Sequence, residues 1–413
     1  MEDTAQATTL PAHAPLRLVL ASPLFRGATI ALFLSGVGVS AAAPQIARFL
    51  VDDLGSSLPT AGLFYLTNLT APVAGYLVGA RSDRTGGRLG LFRLCAAAGF
   101  LGWLGIAYST QLWMPFAISA LVLGFAGAAI SQLFAAVHDE TTRHPDRGND
   151  GVVAIVRMAL TAGWVVGPVA GSFLAAAVDL RTVLVVTGVC TLAQVVPLGT
   201  LRTPPAHRPG ASPSDDRRRP PLAAMVPLLA FTGLYVLVYA GEPIKYAYLP
   251  IYMNDVLHLD PALSGAVIGI QPLVELVLMP VAVIAARRIG TMRLMAVAAA
   301  LAVAANVCFA ATGAAAGLLL GQALMGGVWA VFMTLGILVA QRLLPTAVAT
   351  ASAVFLSSSA LSSALGGLGG GLGVATAGLP HVFLIPAALA LAATAGLAVM
   401  HQTRRTSMAE AAA

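Results

Sequence analysis

Apolar runs long enough to cross a lipid bilayer recur twelve times along this chain of 413 residues, and no other feature restricts its fold so tightly. A helix needs roughly 20 residues to cross about 30 Å of hydrocarbon. By that measure the runs are 23–45, 58–80, 89–108, 112–136, 151–177, 181–201, 222–252, 261–286, 292–312, 315–341, 346–376 and 379–400. Lipid offers the backbone no hydrogen bonds, so runs of this length fold as helices. Composition agrees: 58% of the residues are hydrophobic and 10% are charged. A soluble globular chain carries about 25% charge, and too few charges remain here to cover a water-facing surface. The expected fold is an all-α membrane protein with twelve transmembrane helices.

Loop charge sets the expected topology. Placing the N-terminus in the cytoplasm assigns 19 of the 23 basic residues to cytoplasmic segments, among them Arg17, Arg84, Arg217 and Arg404. The opposite loops hold only Arg48 and Arg181, and Arg157 and Lys245 fall inside spans. That asymmetry predicts a multi-pass protein of the cell membrane with both termini cytoplasmic and an even number of spans. It also explains the net charge of +6 without a nucleic-acid partner. Cys95, Cys190 and Cys308 all lie in apolar runs, which argues against a disulfide framework or a metal cluster. Glu2 and Asp3 with no small-residue cleavage site argue against a removed signal peptide.

The stretch "RTPPAHRPGASPSDDRRRPP" at 202–221 divides the spans six and six. Its proline, serine and charge content suits a solvated linker. The expected organisation is a tail at 1–22, a six-helix bundle at 23–201, the linker at 202–221, a second bundle at 222–400 and a tail at 401–413.

The loop after the second span, "GARSDRTGGR", resembles the major-facilitator motif G-x3-D-[RK]-x-G-x-[RK], with Gly79, Asp83, Arg84, Gly86 and Arg88 in register. Glycine permits a tight turn, and an aspartate can pair with arginine or meet a helix N-terminus. These residues are gating candidates; the plainer reading is an ordinary basic hairpin. After span eight "ARRIGTMR" keeps only Gly290 and its arginines, with Arg287 where the aspartate would stand. In span five, "GWVVGPVAGS" sets Gly163, Gly167 and Gly171 on one face, suited to close helix packing, and Pro168 permits a kink. It is similar to the G-x3-G-P-x2-G-G signature of major-facilitator antiporters, with Ser172 for the last glycine, so Gly167 and Pro168 join the gating candidates.

Further stretches resemble one subfamily: "GLFYLTN" at 62–68, "QLFAAV" at 132–137, Arg157 followed six residues later by "WVVGP", "LVEL" at 273–276, Gln322 and "AQRLLP" at 340–345. In this order they look like the bacterial sugar efflux transporters of the major facilitator superfamily. The resemblance covers nearly all spans and implies the major facilitator fold of two six-helix bundles. It also implies export of sugars or glycosides by alternating access, in exchange for protons.

An ionisable group near the bilayer centre costs roughly 2.5–3.5 kcal/mol on insertion scales, so each one is a functional candidate. Arg157 can snorkel to the headgroups or face a cavity, and its motif context favours the cavity. Glu275 lies about fourteen residues into span eight, too deep for so short a side chain to snorkel. Burial disfavours its charged form, a property a proton carrier needs; the alternative is a structural ion pair. Glu242 and Lys245, the chain's only lysine, are three apart and can pair on one helix face. Gly241, Pro243 and Pro250 beside them favour a broken helix. Glu275 and Glu242 are therefore the proton-coupling candidates.

Sugar hydroxyls need donors and acceptors, and sugar C–H faces need aromatic surfaces. The substrate-binding candidates are Asn68, Gln132, Arg157, Trp164, Lys245, Tyr246, Gln271 and Gln322. Gln45, Asn306, Trp329 and Gln341 are also capable of facing inward, although any amide can instead bond a neighbouring helix. The expected partners are a small sugar or glycoside, protons and the lipid bilayer, with no cofactor and no metal. Oligomeric state is not set by the sequence, and a monomer is the expectation. A membrane hydrolase would need a nucleophile and a base within reach, but the seven histidines lie in tails, loops or span edges. The nearer alternative is a drug/proton antiporter exporting lipophilic or cationic compounds.

Overall fold

The computed structural model describes residues 14–143, 150–202 and 221–412. Most of the linker read at 202–221 lies outside the described residues, as do residues 1–13 of the first tail. Among the described residues twelve helical spans are long and apolar enough to cross a membrane. Numbered in chain order they are Pro23–Asp53, Leu58–Ser82, Arg88–Ala107, Trp113–Arg143, Gly151–Ala177, Leu180–Leu198, Leu222–Val256, Pro261–Ile289, Thr291–Ala311, Ala315–Leu343, Thr350–Ala377 and His381–Thr403. The chain is a multi-pass membrane protein. Several spans outrun their apolar cores, as where span 4 continues through His138–Arg143. A helix does not end where the lipid does, because its hydrogen-bond ladder continues into polar sequence.

Consecutive spans run up and down, so the loops fall at two ends. One end carries the linker and the 82–88, 143–151 and 343–350 connections; it is called here the linker end. The opposite end carries the 53–58, 177–180, 256–261 and 377–381 connections. Outward-facing apolar side chains such as Tyr76, Leu101, Leu121 and Leu372 are exposed, as lipid contact requires.

The irregular backbone sits where proline and glycine dictate. Span 7 is a helix over Leu222–Tyr239, turns at Ala240, restarts as a helix over Gly241–Ile251 and widens into a π turn at Tyr252–Val256. Pro243 has no N–H for the preceding turn, so the ladder stops before it. Span 1 breaks similarly around Pro44, between Pro23–Ala42 and Ile46–Arg48. Span 2 passes from Leu58–Leu63 through a 3₁₀ segment at Phe64–Thr70 before Pro72 opens the helix Ala71–Thr85. Pro168, in contrast, lies inside the unbroken helix Asp150–Ala177.

Small residues bring backbones together within and between the halves. The glycine face of span 5 packs on span 1: a Cβ on Gly163 would stand 2.5 Å from the Phe33 carbonyl, and one on Gly171 2.6 Å from that of Ala41. Ser40 donates to the Gly163 carbonyl across this contact at 3.2 Å. The close contacts between halves lie at the opposite end. There, a Cβ on Gly371 of span 11 would meet the Pro59 carbonyl of span 2 at 2.9 Å, and one on Gly367 would meet that of Gly62 at 2.9 Å. Gly265 of span 8 faces Val169 of span 5 as closely. The Tyr248 hydroxyl reaches from span 7 to donate to the Leu58 carbonyl of span 2 at 3.2 Å.

This seam predicts the effect of a wedge. Gly371→Val forces a side chain into the Pro59 carbonyl, where no neighbouring side chain can yield, and the halves must part at that end. Spin labels placed on the 53–58 and 377–381 loops should show a longer distance in the variant by pulsed electron paramagnetic resonance. An unchanged distance distribution would mean that the seam does not hold this end shut.

Candidate substrate cavity

The break in span 7 determines what Glu242 can do. It places Glu242 in the first turn of the new helix, where the unbonded N–H groups favour negative charge. Lys245 follows one turn later on the same face. Its Nζ donates to both Glu242 carboxylate oxygens, each at 2.8 Å, and to Gln271 Oε1 of span 8. Trp329 Nε1 of span 10 donates to Glu242 Oε1 at 2.6 Å. The Lys245 ammonium also lies 4.8 Å from the centre of the Tyr246 ring, a cation–π distance. One buried ion pair thus ties spans 7, 8 and 10 together.

In front of this cluster lies a cavity of about 330 Å³ between the two halves, on the linker side of the glycine seam. Ligand pockets typically measure about 300–1,000 Å³. Its floor is Glu242, Gln271, Trp329 and Tyr239; its walls are Arg157 and Trp164 of span 5 and Glu275 and Met279 of span 8. Asn68 and Ser363 line it from spans 2 and 11 and bond each other across the halves at 3.3 Å. Trp164 and Tyr246 tilt together with ring centres 6.2 Å apart.

Of the residues singled out in the sequence, Asn68, Arg157, Trp164, Glu242, Tyr246, Gln271 and Glu275 meet at this cavity. Lys245 stands behind Glu242, 2% exposed, and reaches the cavity only through its partners. Gln132 and Gln322 are buried elsewhere: Gln132 lies in span 4 on the face of Ala128, Leu133 and Ala136, inside the first bundle. Gln322 lies in span 10 nearer the opposite end. Gln45 bonds Ser172 and Gln341 bonds Ser352, helix to helix. Glu275 and Arg157 differ from Glu242 in having no hydrogen bond or ion pair among the described residues. They stand on different halves, one free carboxylate and one free guanidinium. Counting Lys245 and Glu242, the site holds two of each sign.

In the loop after span 2, the described contacts of Arg88 are to the first half. Gly86 adopts φ +66° and caps the helix by donating to the Ser82 carbonyl at 2.8 Å. Arg88 pairs with Asp139 of span 4 at 3.0 Å and donates to Ser82 Oγ at 2.9 Å. Gly79 and Arg84 border open space. The Asp83 side chain lies outside the described residues. Gly167 sits in the span 1–span 5 contact, and Pro168 beside it is buried within the helix.

Sequence reasoning missed Tyr239, Thr161, Tyr65 and Ser362 as lining residues. Tyr239 had a usable signal, since it immediately precedes the predicted break, but the serines resemble any small-residue packing stretch.

Two helical bundles around a central cavity that carries buried charges define a secondary transporter architecture. The sequence model of the Major Facilitator Superfamily matches residues 28–242, and the chain belongs to that superfamily of transporters. It is 29% identical, over 93% of its own length and 99% of the relative's, to a Deinococcus radiodurans protein provisionally named a sugar efflux transporter. Sugar efflux transporter B of Salmonella typhimurium is 25% identical over 72% of this chain and 74% of its own. Among solved structures, the nucleoside transporter NupG superposes with a TM-score of 0.75 at 16% identity, covering 92% of this chain and 99% of its own. A POT family transporter superposes with a TM-score of 0.74 at 14% identity, covering 92% and 96%.

The ion pair makes a testable energetic demand. Lys245→Met strands the Glu242 carboxylate, and breaking a buried pair costs about 3–5 kcal/mol. The apparent melting temperature in detergent should fall sharply in Lys245→Met, while Glu242→Gln combined with Lys245→Met should recover most of the loss. A double variant as unstable as the single would show that packing, not the stranded charge, sets the cost.

Proposed function

We propose that this transporter exports sugars or glycosides in exchange for protons by alternating access. The observation that carries the reading is the pair of free charges, Glu275 and Arg157, on facing halves of a cavity lined by amides, hydroxyls and aromatic rings. The names of its relatives point to the same substrate class. Asn68, Gln271, Ser362 and Ser363 supply donors and acceptors for sugar hydroxyls, and Trp164, Tyr246 and Trp329 offer flat faces to C–H surfaces. Under the arginine asymmetry the linker end is cytoplasmic, with both termini on that side. This conformation then admits substrate from the cytoplasm while the glycine seam keeps the outside closed.

Proton coupling follows from charge balance. With Glu275 ionised, it and Arg157 attract across the gap, and the attraction is strong where water is scarce. A proton on Glu275 removes that attraction and leaves the site with one net positive charge. Occupancy by a proton and occupancy by sugar thereby favour different separations of the two halves, which links their movements. Glu242 is held by Lys245 and Trp329 and serves as a second, more tightly committed acceptor.

A second reading has its own support. Tyr65, Trp164, Tyr239, Tyr246 and Trp329 with Met279 and Met333 make a wall suited to a lipophilic cation, with Glu275 as counter-ion.

Purified protein in proteoliposomes should move a radiolabelled glucoside when a pH gradient is imposed. A cationic dye should neither be moved nor compete. Glu275→Gln, fixed in the uncharged form, should lower gradient-driven flux by about tenfold or more while sugar-for-sugar exchange persists. Driven flux at the normal rate in this variant would remove Glu275 from the coupling step, and dye transport in place of sugar would establish the second reading.

A further inference from the structure

Behind the cavity floor, on the side away from the linker end, the second bundle buries three amide atoms, of Gln322 and Asn306, without a hydrogen-bond partner among the described residues. Gln322 is 0% exposed, and it is the side chain among the described residues with both amide atoms buried and without a partner. Asn306 of span 9 is 2% exposed and gives its amide N–H to the Ala302 carbonyl, leaving Oδ1 unbonded. Buried polar groups bond to protein or to ordered water. An apolar residue would serve better at either position if packing were all that was required.

Both amides are placed relative to the ion pair. The Asn306 Nδ2 atom lies 4.0 Å from the point where a Cβ on Gly241 would stand, against the backbone beside Glu242. Gln322 lies one turn before Gly326, which rests on the Gln271 carbonyl, and seven residues before Trp329, the indole bonded to Glu242. Two turns separate residues seven apart, so Gln322 and Trp329 share a face. Gly321 packs on the Ala305 carbonyl at 3.0 Å for a Cβ, which sets Gln322 and Asn306 at one level of the bundle. From the start of its helix at Ala315, Gln322 is about 10 Å deep, midway between the opposite end and Trp329.

We propose that Gln322 and Asn306 hold a short file of buried water that carries protons between the opposite end and the Glu242–Lys245 pair. An amide both donates and accepts, so it orients water without trapping a proton. A proton delivered along the file bonds to a Glu242 oxygen and neutralises it. Lys245 Nζ then keeps Gln271 as its partner, and Gln271 is one helical turn from Glu275 on span 8. At its inner end the file meets the groups gathered around Glu242: Lys245, its ion-pair partner, and Tyr239, Tyr246, Glu275 and Arg157, which line the cavity with it. The route would connect the proton sites to one side while the glycine seam keeps substrate on the other. It rests on the proton-exchange reading.

The test uses the full chain in proteoliposomes, with Gln322→Met and Asn306→Leu as apolar replacements and Gln322→Asn as the polar control. Gradient-driven glucoside flux should fall by about tenfold in the apolar variants, with sugar-for-sugar exchange close to wild type. The Gln322→Asn variant should retain most of the driven flux. Wild-type flux indifferent to the gradient would defeat the antiport reading and with it the route. Wild-type flux that is driven, yet equally driven in both apolar variants, would overturn the route alone. A high-resolution map provides a measurement independent of transport: ordered density should lie within hydrogen-bond distance of the Gln322 amide and Asn306 Oδ1, and a dry site would overturn the proposal.

Discussion

A charge in hydrocarbon must be paired, hydrated or absent, and the arrangement of the second bundle follows from how one pair meets that condition. Glu242 and Lys245 satisfy each other, but neither completes its hydrogen bonding alone. Trp329 and Gln271 supply the remainder, which fixes spans 8 and 10 against the broken segment of span 7. The break is itself part of the solution. It brings the carboxylate to a helix N-terminus and turns it toward the cavity, where irregular backbone is tolerated in a membrane. Lysine suits this position because a compact ammonium can meet two carboxylate oxygens and an amide at once, whereas the planar guanidinium of the chain's other cations is directed by its fork.

The same constraint explains what the sequence reveals. Span number and the six-and-six division are legible because lipid demands apolar length and the arginines collect at one set of loops. The ionisable residues are legible one by one: the cost of placing Arg157, Glu242 or Glu275 in a span leaves few positions other than a cavity. Amides carry no such signal. Asn68 and Gln271 reach the cavity, Gln132 packs within the first bundle and Gln322 faces the interior of the second, yet all four are isolated polar residues in apolar helices. In a soluble helix the polar face marks the solvent side; in a lipid-exposed helix both sides are apolar and the marker is lost. Glycine is read half-way for a related reason. The spacing of Gly163, Gly167 and Gly171 announces a packing face, but the partner, span 1, is a matter of tertiary arrangement. The contact of Gly371 with Pro59 joins residues far apart in the chain, and no local pattern registers it.

The two ends of the molecule are governed by different physics. At the opposite end, Gly367 and Gly371 lie against backbone carbonyls and Tyr248 crosses to Leu58. Such contacts are short-ranged, and a separation of an ångström forfeits much of their dispersion energy. Around the cavity, the free groups on the two halves are Arg157 and Glu275, whose attraction falls off slowly with distance. A short-ranged seam favours two distinct states, made or broken, and resists intermediate openings. A long-ranged attraction acts across the open gap and can draw the linker end inward before any contact forms. The first half keeps its basic loop ordered through Arg88 and Asp139, while the second half has Arg287 where an acidic partner would stand. The attraction between the halves on the linker side of the seam therefore depends chiefly on what stands between Arg157 and Glu275, since these are the opposite charges that face each other across the cavity.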